Sequence, residues 1–414
     1  MKLLISAYAC SPFMGSEPGI GWGFVSALAK RNVVYVITEK DEFENDIQQY
    51  FDAHPELKDN LKFIYVRRMR FKILEKIWPP SYYWTYRTWQ KNALKAALEL
   101  QHDIHFDLVH QLNMIGFREP GYLWKLNAPF VWGPIGGMGK VPWRFIFKMG
   151  PYGSFYFIAY NLINYFQMLL LTRPKLAARS AGTGLIADNT QSKENAVKYW
   201  GCNSVVLCAV GSSRKQASKF KTRSVGEPMK IVWSGLHIPR KALNLALETV
   251  SLLPEEIKWE LHILGDGPCA LRWKHLAEKL KIADRCRFYG HLSREKALDV
   301  MEESHVTLIT SLKDDSPSVA VEALGMGMPV ICLDHCGFSD VVTDQSGFKI
   351  PVTNPKLAVK EMALALMKLS RDEALRQSLA MGALTRAKEF SWDKKIETLE
   401  NIYLDKLNEA SSLR

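Results

Sequence analysis

Three carboxylates stand out for where they lie. Residues 312–331 read LKDDSPSVAVEALGMGMPVI, a stretch otherwise small and apolar. Asp314 and Asp315 precede a Ser-Pro-Ser turn, and Glu322 follows Asp314 after seven intervening residues. A core helix needs no such acids, and a surface helix carries more charge, so the acids face a ligand. Ser316 is the expected cap and Pro317 the first helical residue. The N–H groups and positive dipole at Ser316, Ser318 and Val319 then suit an anion, in particular a diphosphate. Glu322 lies roughly 6–8 Å farther along the helix axis, placed to accept hydrogen bonds from a ribose. Asp314 and Asp315 would repel a diphosphate but accept hydrogen bonds from sugar hydroxyls. The positive counterweight expected for the phosphates is Arg240 with Lys241, at the start of the helix that follows strand KIVW.

The elements that must position these groups alternate along the whole chain. Short β-branched runs (LLISAYA, VVYVIT, KFIYV, DLVHQ, PFVW, GTGLIA, SVVLCA) give way to helical periods. After a polar break, KFKTRSVGEPMK, the pattern resumes with KIVWSG, WELHIL, RFYG, HVTLIT and PVICL. Continuous apolar strands alternating with helices indicate parallel sheets covered on both faces. The fold expected is α/β, with two doubly wound, Rossmann-like domains facing across a cleft. Residues 1–220 form the first domain and 221–392 the second, with a terminal helix, 393–414, that packs back on the first. Ligands of such sheets bind beyond the strand carboxyl ends.

The second half resembles the retaining GT-B glycosyltransferases of family 4, the group 1 glycosyltransferases. Asp314, seven residues, then EALGMGMPVI match the family frame of two acids running into E-A-x-x-x-G-x-P-V-I, with Asp in place of the usual first Glu. The family phosphate segment, G-R-L-x-x-x-K-G, falls on residues 235–242. Gly235 and Lys241 match, Leu236 replaces the family Arg, and Arg240 is the neighbouring charge. LHILGDGP, RFYGHLSREKAL with Leu292, and GFSDVVTDQSGF follow in the family order. In the first half, YACSPFMGSEPGIGWG resembles the glycine-rich loop under the donor phosphates, which points to Gly19 and Gly21. DLVHQLN and FVWGPIGG resemble a branch associated with bacterial surface polysaccharides. They put Asn113, Gly133, Gly136 and Gly137 on the acceptor side, while His110, at the end of strand DLVHQ, is either a cleft residue or a structural one.

The resemblance implies a UDP- or GDP-sugar donor, a hydroxyl acceptor on a saccharide or lipid-linked saccharide, retained anomeric configuration, and no metal or cofactor. Asp314, Lys241, Arg240 and His110 are the expected catalytic groups. Glu322, Asp315, Ser316, Ser318, Val319, Gly235, Gly19, Gly21 and Leu292 are the expected donor contacts. The alternative is a non-catalytic nucleotide-sugar-binding or scaffold protein of a polysaccharide assembly complex. A dinucleotide enzyme fits poorly, because GIGWG stands about ten residues beyond its strand, whereas that fingerprint turns at once.

The chain has 414 residues and a formal net charge of +11, unevenly spread. Residues 62–95 hold nine Lys/Arg, the single acid Glu75, and nine aromatics including Trp78 and Trp84. This composition suits an anionic membrane surface, or a solvated face over buried rings, better than nucleic acid. Residues 149–172 carry no charge, and Asn161, Asn164 and Gln167 recur every third position. That leaves open a membrane span, an interfacial helix or a buried helix. Seven scattered cysteines suggest reduced thiols and the cytoplasm, with attachment to the inner face of its membrane. The lone pair in CLDHC makes a poor zinc site.

Overall fold

The computed structural model describes residues 1–70, 81–212 and 220–412. Residues 71–80, with Glu75 and Trp78, and Lys219 in the polar break lie outside the described residues. Two compact units emerge. The first comprises Met1–Met138, Phe166–Gly211 and Trp392–Arg414; the second comprises Gly139–Tyr165 and Ser212–Ser391.

The first unit is built on seven parallel strands, β1 (Lys2–Ala7), β2 (Val33–Glu39), β3 (Leu61–Val66), β4 (Leu108–Asn113), β5 (Phe130–Ile135), β6 (Leu185–Ala187) and β7 (Val205–Val206). Their order is β3-β2-β1-β4-β5-β6-β7. The second unit has six, β8 (Met229–Ser234), β9 (Trp259–Leu264), β10 (Cys286–Gly290), β11 (Val306–Ile309), β12 (Val330–Leu333) and β13 (Gly347–Ile350). Their order is β10-β9-β8-β11-β12-β13. Each sheet is doubly wound, and its chain reverses direction of travel between the first and fourth strands. β4, β5, β11 and β12 are buried along their entire length, although β4 carries His110, Gln111 and Asn113 into the interior. Each unit is thus an α/β, Rossmann-like domain.

Residues 139–165 depart from the expected division at 220. They belong to the second unit, because Val141, Phe145, Ile146, Met149 and Phe157 join its hydrophobic core. The helix Gly150–Leu170 is also turned opposite to a simple amphipathic pattern. Its polar positions point inward: Asn161 bonds both backbone groups of Val141 (2.9 and 2.8 Å), and Asn164 donates to the Gly139 carbonyl (3.1 Å). Its aromatic and aliphatic positions, Phe155, Leu162 and Ile163, lie on the surface, Phe155 being 76% exposed. Among the described residues no helix is long and apolar enough to cross a membrane.

The terminal helix Trp392–Ser412 falls in the first unit, and its entry is fixed by Trp392. The indole meets Phe24 edge-on at 5.1 Å and lies against Gly23 and Gly211. A Cβ on Gly23 would stand 1.9 Å from the indole ring, and one on Gly211 2.5 Å from it. Neither gap admits a methyl group. Gly23→Ala is therefore expected to cost roughly 1–3 kcal/mol, through overpacking rather than through helix propensity, where Ala is favoured. Denaturant unfolding of this variant beside Gly15→Ala, whose added Cβ meets nothing within 4 Å, measures the difference.

Candidate functional site

In the second unit the reversal in strand order lies between β8 and β11, which pair through Val306↔Ile231 and Thr307↔Val232. Both strands therefore end together, and the loops that leave them, 235–242 and 310–317, run side by side. Several bonds lock them. The Trp233 indole donates to the Thr310 hydroxyl (3.0 Å), which donates to the Lys241 carbonyl (2.9 Å). The Leu312 N–H donates to the Arg240 carbonyl (2.8 Å), and the Arg240 guanidinium donates to the Lys313 carbonyl (2.8 Å). Across this seam the Lys241 ammonium pairs with the Asp314 carboxylate, and Arg240 lies 3.8 Å from the other Asp314 oxygen. Arg240 therefore brings a second cation to the same seam. Leu236 itself is exposed.

Several of the expected groups converge here, but details differ from the sequence expectation. Arg240 and Lys241 do not open an α-helix. They end a 3-10 turn, Pro239–Lys241, and the helix begins at Leu243 after Ala242 turns left-handed at φ +48°. Nor does Ser316 occupy the cap position of the following helix. That helix is Ser318–Gly325, and Pro317, which has no capping side chain, stands at the cap. The Ser318 N–H donates to the Ser316 carbonyl (2.9 Å), and those of Ala320 and Val321 to the Pro317 carbonyl (3.0 and 3.2 Å). The helix end keeps its dipole, but these three N–H groups already have backbone partners. Ser318 is exposed and Val319 half-buried beside it.

Glu322 is one turn into this helix, partly exposed, and accepts a 2.8 Å bond from Arg294 on the helix Arg294–Glu302. Leu292, half-buried, lies in the loop between β10 and that helix. Gly235 directly follows β8 and donates its N–H to the Leu264 carbonyl (3.0 Å). Its own Cβ position is in ordinary contact. The glycine that geometry demands is Gly265, at φ +109°, where a Cβ would stand 2.1 Å from the Gly235 oxygen.

Two groups escaped the sequence reading. Arg294 is one. The other is Lys313, whose side chain is enclosed beside the Tyr160 ring (5.2 Å) and donates to Asp315 (3.4 Å) and the Gly139 carbonyl (3.3 Å). Burial opposes its charge, but Asp315 and Tyr160 outweigh that and hold its pKa above the ordinary lysine value. Its signal in the sequence was only its place in LKDDS. Arg240, Lys313, Asp314 and Asp315 form the charged wall of a cavity of about 480 Å³. The helix Gly150–Leu170, Ile238 and Pro239 also line it. Gly337 packs against the same loop, since a Cβ there would stand 2.2 Å from the Asp315 carbonyl oxygen.

The remaining expected residues lie in the first unit and serve its interior. His110 is fully buried. One ring nitrogen, Nε2, meets the Gly133 carbonyl and the other, Nδ1, the Tyr403 hydroxyl, both at 2.7 Å. A carbonyl only accepts, so Nε2 carries the proton and Tyr403 donates to Nδ1. No ring atom remains for a substrate, which corrects the expectation of a cleft histidine. Asn113 is likewise spent. Its amide bonds Ala9 N–H (3.3 Å), the Ala9 carbonyl (2.7 Å) and the Glu17 carbonyl (3.4 Å). Gly19 and Gly21 lie inside the helix Ser16–Leu28 rather than in a loop, and are glycine because Cβ atoms would meet the Met14 and Ala9 carbonyl oxygens at 2.5 and 2.2 Å. Gly133 approaches the Ile186 carbonyl in the same way (2.2 Å). Gly136 is paired with Ile115 and Phe117 (2.8 and 3.2 Å), and Gly137 turns at φ +79°. Glu17, not singled out beforehand, has one oxygen bonded by the Ile115 N–H (3.1 Å) and one buried without a partner. Burial raises its pKa to about 7. Cys332 and Cys336 are free thiols, and among the described residues no group of three or more His, Cys, Asp or Glu is placed to hold a metal ion.

Burial lowers the His110 pKa from 6.5 to about 4. The unfolded chain binds this proton near pH 6.5, the folded chain only near pH 4. The stabilisation by the neutral ring is complete above pH 6.5 and is lost as the pH falls towards 4, by roughly 3 kcal/mol in all. His110→Gln should be less stable at neutral pH and lose correspondingly less over that interval. Urea unfolding at a series of pH values reads the difference in slope.

Residues 214–383 match the family described as glycosyl transferases, group 1. The chain is 25% identical over 255 residues to the D-inositol 3-phosphate glycosyltransferase of Streptomyces bingchenggensis, a match covering 56% of this chain and 55% of that one. The chain thus spans about half the length of the curated relatives it matches. Its fold is similar to the lipopolysaccharide outer core galactosyltransferase WaaB, with TM-score 0.66 and 13% identity over 98% of this chain and 100% of that one. It is also similar to Anabaena Alr3699/HepE in complex with UDP-glucose, with TM-score 0.58 and 15% identity over the full length of both.

Proposed function

We propose, from the premise that residues 214–383 belong to the group 1 glycosyl transferases, that this chain moves a sugar from a nucleotide-sugar donor to a hydroxyl of a saccharide acceptor with retention of configuration. The observation that carries the proposal is the ion pair of Lys241 with Asp314 at the strand reversal, one short loop from the helix that bears Glu322. A donor needs three recognitions there: ribose, diphosphate and sugar. Glu322 is an acceptor-only group placed for the ribose, which would displace Arg294 from it. Lys241, Arg240 and the helix dipole meet the diphosphate, whose negative charge grows as the glycosidic bond breaks. Asp314 and Asp315 accept from the sugar hydroxyls. The acceptor hydroxyl attacks on the face that the diphosphate leaves, and its proton passes to a phosphate oxygen, so no protein nucleophile is required. In this reading protein cations meet the leaving-group charge and no metal or cofactor takes part.

The UDP-glucose complex of a neighbour of the same fold favours a UDP-sugar over a GDP-sugar. The WaaB likeness favours an acceptor of bacterial surface polysaccharide synthesis, lipid-linked in its growing form. The outward face of the helix Gly150–Leu170 supports attachment at the inner face of the cytoplasmic membrane. Phe155, Leu162 and Ile163 expose apolar surface there, on a chain of net charge +11.

Titration of the chain with UDP- and GDP-sugars should give saturable binding of one class. Glu322→Ala should weaken it roughly 10- to 100-fold, the worth of hydrogen bonds to a charged group. Folded protein that binds no nucleotide sugar, or a Glu322→Ala variant that binds as tightly, would overturn the reading. Binding without transfer to any acceptor would favour the scaffold alternative. Separately, vesicles of anionic lipid should carry the chain to the top of a flotation gradient at physiological salt. Phe155→Ser/Ile163→Ser should leave it at the bottom; equal flotation of both proteins would remove this helix from the membrane contact.

A further inference from the structure

One buried ionisable group in the loop 235–242 plays no part in the proposed reaction. His237 stands three residues before Arg240 and four before Lys241. The sequence frame that this loop resembles, G-R-L-x-x-x-K-G, has an apolar leucine at this place. The imidazole instead fills a box of three rings. Trp233 of β8 lies 5.6 Å away between centroids, Trp273 of the helix Ala270–Lys279 5.3 Å, and Phe288 of β10 6.4 Å. The residue is 2% exposed, and both ring nitrogens are buried with no hydrogen-bond partner among the described residues. Leucine would fill such a box without leaving a polar atom unpaired, so packing alone does not account for a histidine.

The backbone of the same residue ties two loops together. Its N–H donates to the Asp266 carbonyl (2.8 Å), and its carbonyl accepts from the Cys269 N–H (2.8 Å). The loop 265–269 presses so close that a Cβ on Gly267 would stand 2.8 Å from the His237 carbonyl oxygen. The seating of the imidazole and the position of the loop that bears Arg240 and Lys241 are therefore set together.

We infer that His237 is a positioning residue: its neutral ring, seated in the box, holds the loop 235–242 and its two cations in place, and protonation unseats the ring and weakens nucleotide-sugar binding in acid. The consequence for binding rests on the glycosyl-transfer reading, whereas the latch does not. A charged ring would find no acceptor in the box. Burial lowers the His237 pKa below 6.5; Asp266, on the loop 265–269, favours the charge, and Lys274, on the helix Ala270–Lys279, opposes it. β8 and β10 bring only the neutral rings of Trp233 and Phe288 to the box. Aromatic faces can attract a cation, but the Lys274 ammonium already lies 5.7 Å from the Phe288 centroid and repels a second one. Because the seated ring has the lowered pKa, the unseated ring binds the proton more tightly. The seated state is thus fully favoured above about pH 6.5 and gives way as the pH falls.

Hydrogen exchange read by mass spectrometry, on the full chain without ligand, tests the latch independently of any nucleotide sugar. After correction for the intrinsic effect of pH, protection of segments 235–242 and 265–269 should fall about tenfold or more between about pH 7 and about pH 5, while β8 and β9 stay protected. His237→Leu and His237→Gln cannot take up the proton and should keep both loops protected throughout. Titration with UDP-glucose and GDP-mannose, whose diphosphates keep their charge over this range, adds the link to binding. The Kd of whichever binds should rise by up to about tenfold per pH unit in the wild type and stay flat in the variants. Unchanged protection in the wild type, or the same loss in either folded variant, would overturn the latch. So would a His237 ring that titrates at or above 6.5 in NMR spectra of histidine-labelled protein, since the box would then tolerate its charge. A Kd as flat in the wild type as in the variants would overturn the link to binding. Loop release with neither nucleotide sugar bound at any pH would support the latch and count instead against the transferase reading.

Discussion

The pairing of Lys241 with Asp314 depends on a single topological fact, that β8 and β11 are neighbours although two strands and three helices separate them in sequence. Parallel neighbours end at the same edge of the sheet, so their outgoing loops must share space. There the loops carry opposite charges and bond each other through Thr310, Leu312 and Arg240. The seam leaves the lysine and the carboxylate fixed in place but still partly open. Such a seam has its dipoles oriented by folding, before any ligand arrives. Asp314 is one carbon shorter than the glutamate of the sequence frame that this stretch resembles. With Lys241 on one oxygen and Arg240 near the other, the shorter side chain still reaches its cations, because these stand on the adjoining loop and not across open solvent.

The same reversal in the first unit shows how differently one topology is used. There β1 and β4 are the neighbours, and the space beyond their ends is filled by Asn113, which bonds Ala9 through both ends of its amide. Gly21 lets the helix Ser16–Leu28 press against that same Ala9 carbonyl. One reversal is closed by neutral hydrogen bonds, while the other is bridged by charge. Neutral bonds between buried amides specify a rigid packing, whereas a partly exposed ion pair is worth little to stability and is free to be exchanged for a ligand's charges.

The strands and the doubly wound order were legible because unbroken apolar runs leave few alternatives. The frame from Asp314 to Ile331 was legible because its chemistry is local: strand, loop, helix start and acid follow one another. What the sequence did not disclose was non-local. Nothing near His110 announces Tyr403, 293 residues away, as the partner that occupies its ring. The glycines of the first unit read as a phosphate loop, because a glycine needed for close approach and one needed for a ligand look alike until the opposing carbonyl is known. Lys313 and Arg294 were passed over because each lies among other charges and acquires meaning only from Asp315 or Glu322.

The helix Gly150–Leu170 shows where periodicity stops being informative. Asn161, Asn164 and Gln167 on one face and aromatics on the other describe an amphipathic helix, but the pattern is symmetric with respect to which face is covered. The ordinary assignment buries the aromatic face. Here the asparagines are inside, because residues 139–141 cross beneath the helix as irregular chain whose backbone groups need partners, and Asn161 and Asn164 provide them. Apolar side chains on that face would have left those groups unpaired in a buried place. Once the asparagines are committed inward, the rings of the opposite face have nowhere to go but the surface, and the tyrosines between the two faces are left along the rim of the cavity. The exposed aromatic surface is thus a consequence of satisfying the backbone of one short irregular segment, and the membrane contact proposed for the helix derives from that constraint.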